Sequence, residues 1–147
     1  MILDAAPLRP DSAEFPLFLH VLGAMILVGA TLAATVLAWG GPHRPAVSRA
    51  SFRTLLLVAI PAYVLMRGGA QWVYSREGYN GKHDPGWIGV GLGVSDVGVI
   101  ALLLATGFAY WWSRRAGAGW QSRAVAVLSS LYLAALAVAW WAMSGKP

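Results

Sequence analysis

Apolar residues in this chain come in runs far longer than one face of a soluble helix requires, broken by short polar segments. A hydrocarbon core of about 30 Å needs roughly 20 apolar residues of helix to cross it. Four stretches reach that length: residues 15–39, 54–73, 87–112 and 124–143, the first of them without a formal charge. The pattern predicts an all-α chain, an antiparallel four-helix transmembrane bundle that forms a single membrane domain over residues 1–147. An outer loop is expected at about residues 74–86.

The polar breaks give the bundle a direction. Residues 40–53 hold Arg44, Arg49 and Arg53 with no acid, and the link between the last two helices holds Arg114, Arg115 and Arg123, again with no acid. The middle loop is mixed, Arg76 and Lys82 against Glu77 and Asp84, and the N-terminal segment sets Asp4, Asp11 and Glu14 against Arg9 alone. Lys and Arg accumulate on the cytoplasmic side of a span. The expectation is an N-out/C-out, multi-pass protein of a bacterial cytoplasmic membrane. Without a basic first segment, a cleaved signal peptide is not expected. All eight tryptophans (Trp39, Trp72, Trp87, Trp111, Trp112, Trp120, Trp140 and Trp141) fall near predicted helix ends. An indole prefers the lipid–water boundary, because its ring is apolar and its N–H needs a partner.

Composition sharpens this picture. Of 147 residues, 58% are hydrophobic and 12% charged, where a soluble domain carries about a quarter charged. The surplus makes the lipid bilayer the first partner. The net charge of +5 lies in clusters beside apolar spans, which reads as topology control and contact with anionic lipid, with no nucleic acid expected. The absence of cysteine excludes disulfides, thiolate metal sites, iron–sulfur clusters and cysteine nucleophiles.

Helices in lipid associate through small residues and polar contacts. Ala30, Ala34 and Ala38 form one stripe, Gly89 and Gly93 a small-xxx-small pair, and Ser129 and Ser130 sit mid-way along the fourth helix. Pro61 is expected to kink the second helix and free a backbone carbonyl. The run Gly89, Gly91, Gly93 follows no strand and lacks nucleotide-loop spacing, so it reads as helix packing. No Ser or Thr has a His–Asp partner at a matching depth for hydrolase chemistry.

Ionisable groups within a span are costly and mark candidate sites. Here they are His20, Arg67 and Asp96. Asp96 follows Gly93 and Gly89 at i−3 and i−7, which predicts a carboxylate pointing into the bundle. An ion pair with Arg67, or a hydrogen bond to His20, would ease its burial, and the same groups would serve equally as a structural clamp. The candidate cofactor-binding residues are His20, Met66, Arg67 and Asp96, and the candidate metal ligands His20, Met66, Met143 and His83. Imidazole with thioether suits Cu(I) or a haem iron, although a methionine in a membrane helix is also an ordinary apolar filler. Haem b held by two histidines of one chain needs a second intramembrane histidine. His20 would instead require Met66, an open position or a second copy, with Arg67 and Arg76 available to the propionates. His43, in the Arg-rich link, reads as a solvated interfacial residue.

The segment from Phe15 to Ala24, with His20 followed by small residues, resembles the first helix of a bacterial membrane family, domain-of-unknown-function 2269. More distantly it resembles the copper resistance D-like membrane proteins. The likeness continues through an Arg-bearing link, Arg67-Gly68-Gly69, the loop ending Asp84-Pro85-Gly86-Trp87-Ile88, and a third helix closed by Arg114-Arg115. It implies four helices and a role for His20, and its copper branch implies metal handling at the outer face. The expected function is an accessory or cofactor-binding membrane protein with a polar site in the outer half of the bundle. The alternatives are a small proton-coupled transporter, working as a homo-oligomer, or a structural subunit of a larger membrane complex. An enzyme acting alone has the least support in the residues.

Overall fold

The computed structural model of the chain describes residues 14–78, 86–115 and 119–144, and among these it is helix and turn with no strand. Helix α1 is Glu14–Gly40, α2 is Pro45–Arg76, α3 is Gly86–Ser113 and α4 is Trp120–Ser144. At 25 to 32 residues each, they are about 38–48 Å long at a rise of about 1.5 Å per residue. All four are long and apolar enough to cross a membrane.

Which residues lie inside explains what solvent the fold expects. The buried positions of α1 are small or hydroxylated: Gly23, Ala30, Thr31, Ala34, Thr35 and Ala38, together with Leu27. Its large apolar side chains, Phe15, Phe18, Met25 and Val36, point outward. In the other helices Leu57, Val97, Ile100, Leu131 and Trp140 are exposed, around a core in which Ala and Ser stand among a few large residues, Leu55, Leu102, Trp112, Val125 and Tyr132. A water-soluble bundle would do the reverse. The threonine hydroxyls in the core turn back on their own helices: Thr31 donates to the Leu27 carbonyl at 2.7 Å, Thr35 to the Thr31 carbonyl at 2.8 Å and Thr106 to the Leu102 carbonyl at 2.8 Å. That satisfies each group without a neighbour, so the helices can close over it.

Helix α1 packs along α2 and also against α4, and α3 packs along α4. Contact between α2 and α3 is concentrated in the first part of α2, Pro45–Thr54, and is sparse along Ile60–Arg76. The two helices therefore part company over the stretch that carries Arg67. At the α1–α2 turn, the Trp112 indole, 2% exposed, donates to the Pro42 carbonyl at 3.2 Å and ties α3 to that turn.

Two helix starts differ from the sequence expectation. Residues 45–53, expected as a link, are helix, because Pro45 occupies the first helical position, where its missing N–H costs nothing. Helix α4 likewise starts at Trp120 rather than near residue 124. Pro61 does not stop α2: Leu55–Ala59 widens into a π turn in which the Ile60 N–H bonds the Leu55 carbonyl. The proline has no N–H to offer the turn before it, and the wider register absorbs the mismatch. Trp112 also departs from the interfacial belt by lying inside the bundle.

Candidate functional site

The site begins with two glycines. A Cβ at Gly23 of α1 would collide with the backbone of Met66 and lie 2.9 Å from the Ala62 carbonyl. One at Gly69 of α2 would stand 2.6 Å from the His20 backbone nitrogen and 2.9 Å from the Pro16 carbonyl. Each helix thus presses its backbone onto the other where a side chain is missing. That approach brings His20, itself half-buried, within reach of α2, and its Nδ1 lies 2.9 Å from the Met66 carbonyl oxygen. A carbonyl only accepts, so Nδ1 carries the proton and donates. In the neutral ring Nε2 is then left with its lone pair, the arrangement in which a histidine is oriented as a ligand or proton acceptor.

Arg67 follows Met66 and is rotated about 100° around α2, away from α1 and toward α3. Its Nη2 lies 3.6 Å from Asp96 Oδ1, and its Nη1 donates to Gln71 Oε1 at 3.2 Å. The pair is open: the Arg67 side chain is 29% exposed and that of Asp96 65%. One turn before Arg67, the Tyr63 hydroxyl meets Ser95, donating to its carbonyl at 3.3 Å and accepting from its Oγ at 3.3 Å. Ser95 is 6% exposed. Two polar bridges, Arg67–Asp96 outside and Tyr63–Ser95 inside, therefore span the helices where apolar packing is thin. Deeper still, Tyr132 of α4 fills the space left by the missing side chain of Gly98. Among the described residues its buried hydroxyl has no hydrogen-bond partner, and neither do those of Ser51 and Ser129.

His20 thus meets the Met66 backbone and Arg67 meets Asp96, as two pairs on different faces of α2. Asp96 does not point into the bundle. Gly93 and Gly89 share its outward stripe, and among the described residues nothing lies within 4 Å of a Cβ built at either. A shared stripe follows from helical spacing, but which stripe faces a neighbour is set by the whole bundle. The close-packed glycine of α3 is Gly98. Asp96 has Arg67 as its partner, and His20 turns to the Met66 backbone. The Met66 side chain, 7% exposed, belongs to the apolar core, so Met66 enters the site through its carbonyl. Met143 is half-buried on α4 beside Gly91. Arg76 is exposed in the last turn of α2, and His43 is exposed at the α1–α2 turn. His83 lies outside the described residues.

Tyr63, Ser95 and the reciprocal pair Gly23 and Gly69 complete the site without having been singled out from sequence. Tyr63 shares a helical face with Arg67, and that was the available signal. Among the described residues no group of three or more His, Asp or Glu is placed to hold a metal ion. Family models, curated proteins and solved structures were all compared with this chain, and none matches it.

Proposed function

We propose that the chain is a multi-pass protein of a bacterial cytoplasmic membrane, an antiparallel bundle with both termini outside, whose outward site presents His20 to a cofactor shared with a partner. The outward-facing apolar side chains support the lipid environment. The segregation of Arg44, Arg49, Arg53, Arg114, Arg115 and Arg123 supports the orientation. The meeting of His20 with Met66, Tyr63 with Ser95, and Phe108 with Trp120 supports the antiparallel order.

The observation that carries the reading is the Nδ1–H bond from His20 to the Met66 carbonyl, which orients the ring and leaves Nε2 available. The donor set of one chain is short of a closed copper site: the Met66 thioether is occupied in the core, and no three-group cluster accompanies His20 among the described residues. A haem also has no slot between α1 and α2, which touch backbone to backbone at Gly23 and Gly69. In this reading His20 would supply one ligand to haem iron or copper, and the remaining ligands would have to come from a second copy or a larger membrane complex. Arg67, on the face of α2 turned toward α3, would be a cation for propionate or other anionic groups approaching from that side. Protein purified with its native membrane partners should carry a haem absorption band or stoichiometric copper. His20→Ala should lose it and His43→Ala keep it. A colourless, metal-free assembly would overturn the reading.

A second reading has its own support: Asp96 is well exposed, with the Tyr63–Ser95 bridge directly behind it. A carboxylate so placed exchanges protons in a small coupled transporter. Proton-coupled uptake that survives Asp96→Asn would remove this alternative.

A further inference from the structure

At the opposite end of the molecule from His20, the turn after α1 and the start of α4 enclose a cleft of about 410 Å³. Its walls include Trp39, Pro42, His43, Trp120, Ser122 and Arg123. Four of these are held by bonds made elsewhere. The Trp39 indole donates to Ser130 Oγ at 3.3 Å, and the Pro42 carbonyl accepts from Trp112 at 3.2 Å. The Trp120 ring is flanked edge-on by Phe108 at 5.1 Å and Trp111 at 5.8 Å, and Ser122 Oγ donates to the Gly119 carbonyl at 2.9 Å. The frame is fixed before anything enters it.

The other two wall residues, His43 and Arg123, are exposed and have no ion pair among the described residues. No acid lines the cleft; the described acids are Glu14, Glu77 and Asp96, on other parts of the bundle. Helix α4, 25 residues long, begins at the cleft and turns its positive dipole end toward it. Cationic side chains, first-turn amides and flanking indoles match a singly or doubly charged phosphate attached to an apolar or glycerol body. We propose that this cleft binds a phosphate-bearing anion, with Arg123 and His43 donating to its oxygens and Trp39 and Trp120 flanking its apolar part. The phosphate group is common to an anionic phospholipid headgroup and to a free phosphate. The site does not depend on any cofactor at His20.

Native mass spectrometry of the full chain in detergent tests it, with phosphatidylglycerol, phosphatidylcholine and inorganic phosphate as probes. Phosphatidylglycerol should be retained by the unaltered chain and about tenfold less by Arg123→Gln, the size of one charge-assisted hydrogen bond. Arg123→Lys should restore part of the loss, and Arg53→Gln, which removes an equal charge outside the cleft, should leave retention unchanged. Competition by inorganic phosphate would assign the site to a free anion, and its absence would assign it to lipid; either result supports the site. Equal loss in Arg123→Gln and Arg53→Gln, or equal retention of phosphatidylcholine, would overturn it.

Discussion

Replacing Gly69 by leucine would drive a side chain into the α1 backbone at His20 and Pro16, where even a Cβ has no room. Overpacking of this kind costs roughly 1–3 kcal/mol, so Gly69→Leu should lower the unfolding temperature in detergent clearly. Gly93→Leu, where nothing lies within 4 Å among the described residues, should shift stability by no more than about 0.5 kcal/mol. The two glycines are equivalent in sequence terms, which is why the spacing of Gly89, Gly93 and Asp96 misdirected the carboxylate inward. The residue types of the site were legible: His20, Arg67 and Asp96 stand out because charge is rare in spans. The Arg67–Asp96 pairing was legible too, but the partner of His20 was not, because the Met66 carbonyl is a backbone group that no side-chain pattern announces. The Arg67–Asp96 contact is long and open, so a double-mutant cycle with Arg67→Gln and Asp96→Asn should give a coupling below about 1 kcal/mol. Ser129 Oγ is buried without a partner among the described residues. Ser129→Ala should therefore be neutral or stabilising by about 1 kcal/mol, read from the same unfolding scans.

Among the elements, α2 departs furthest from its sequence pattern. Hydropathy found its apolar middle but not its first turns, since the Arg-bearing residues 45–53 are a hydrophilic stretch of helix. Pro45 was the overlooked start signal. The π turn at Leu55–Ala59 was beyond sequence reasoning, because a proline inside a helix is compatible with a kink, a break or a wider turn. Pro61→Ala restores an N–H and removes the reason for the wider turn. Amide exchange across residues 55–61 should slow, with stability changed by no more than about 1 kcal/mol. Faster exchange there would mean that the π turn has another cause. The other three helices matched their predicted spans to within a few residues, since length and apolarity alone decide those ends.

At the scale of the molecule, four helices long and apolar enough to cross a membrane expose many large apolar side chains and bury mainly small or hydroxylated ones around a few large residues. Close backbone approach, hydroxyls bonded within their own helices and a few polar bridges hold the helices together. In the orientation proposed from the Arg-rich connections, the cleft beside Arg123 would face the cytoplasm and His20, Arg67 and Asp96 the other side. The chain contains no cysteine, so single cysteines report topology without background. Glu77 and Arg114 are both exposed, one after α2 and the other after α3. In intact spheroplasts, a membrane-impermeant maleimide should label Glu77→Cys at once and Arg114→Cys only after permeabilisation. Immediate labelling of Arg114→Cys, with Glu77→Cys protected, would contradict the account.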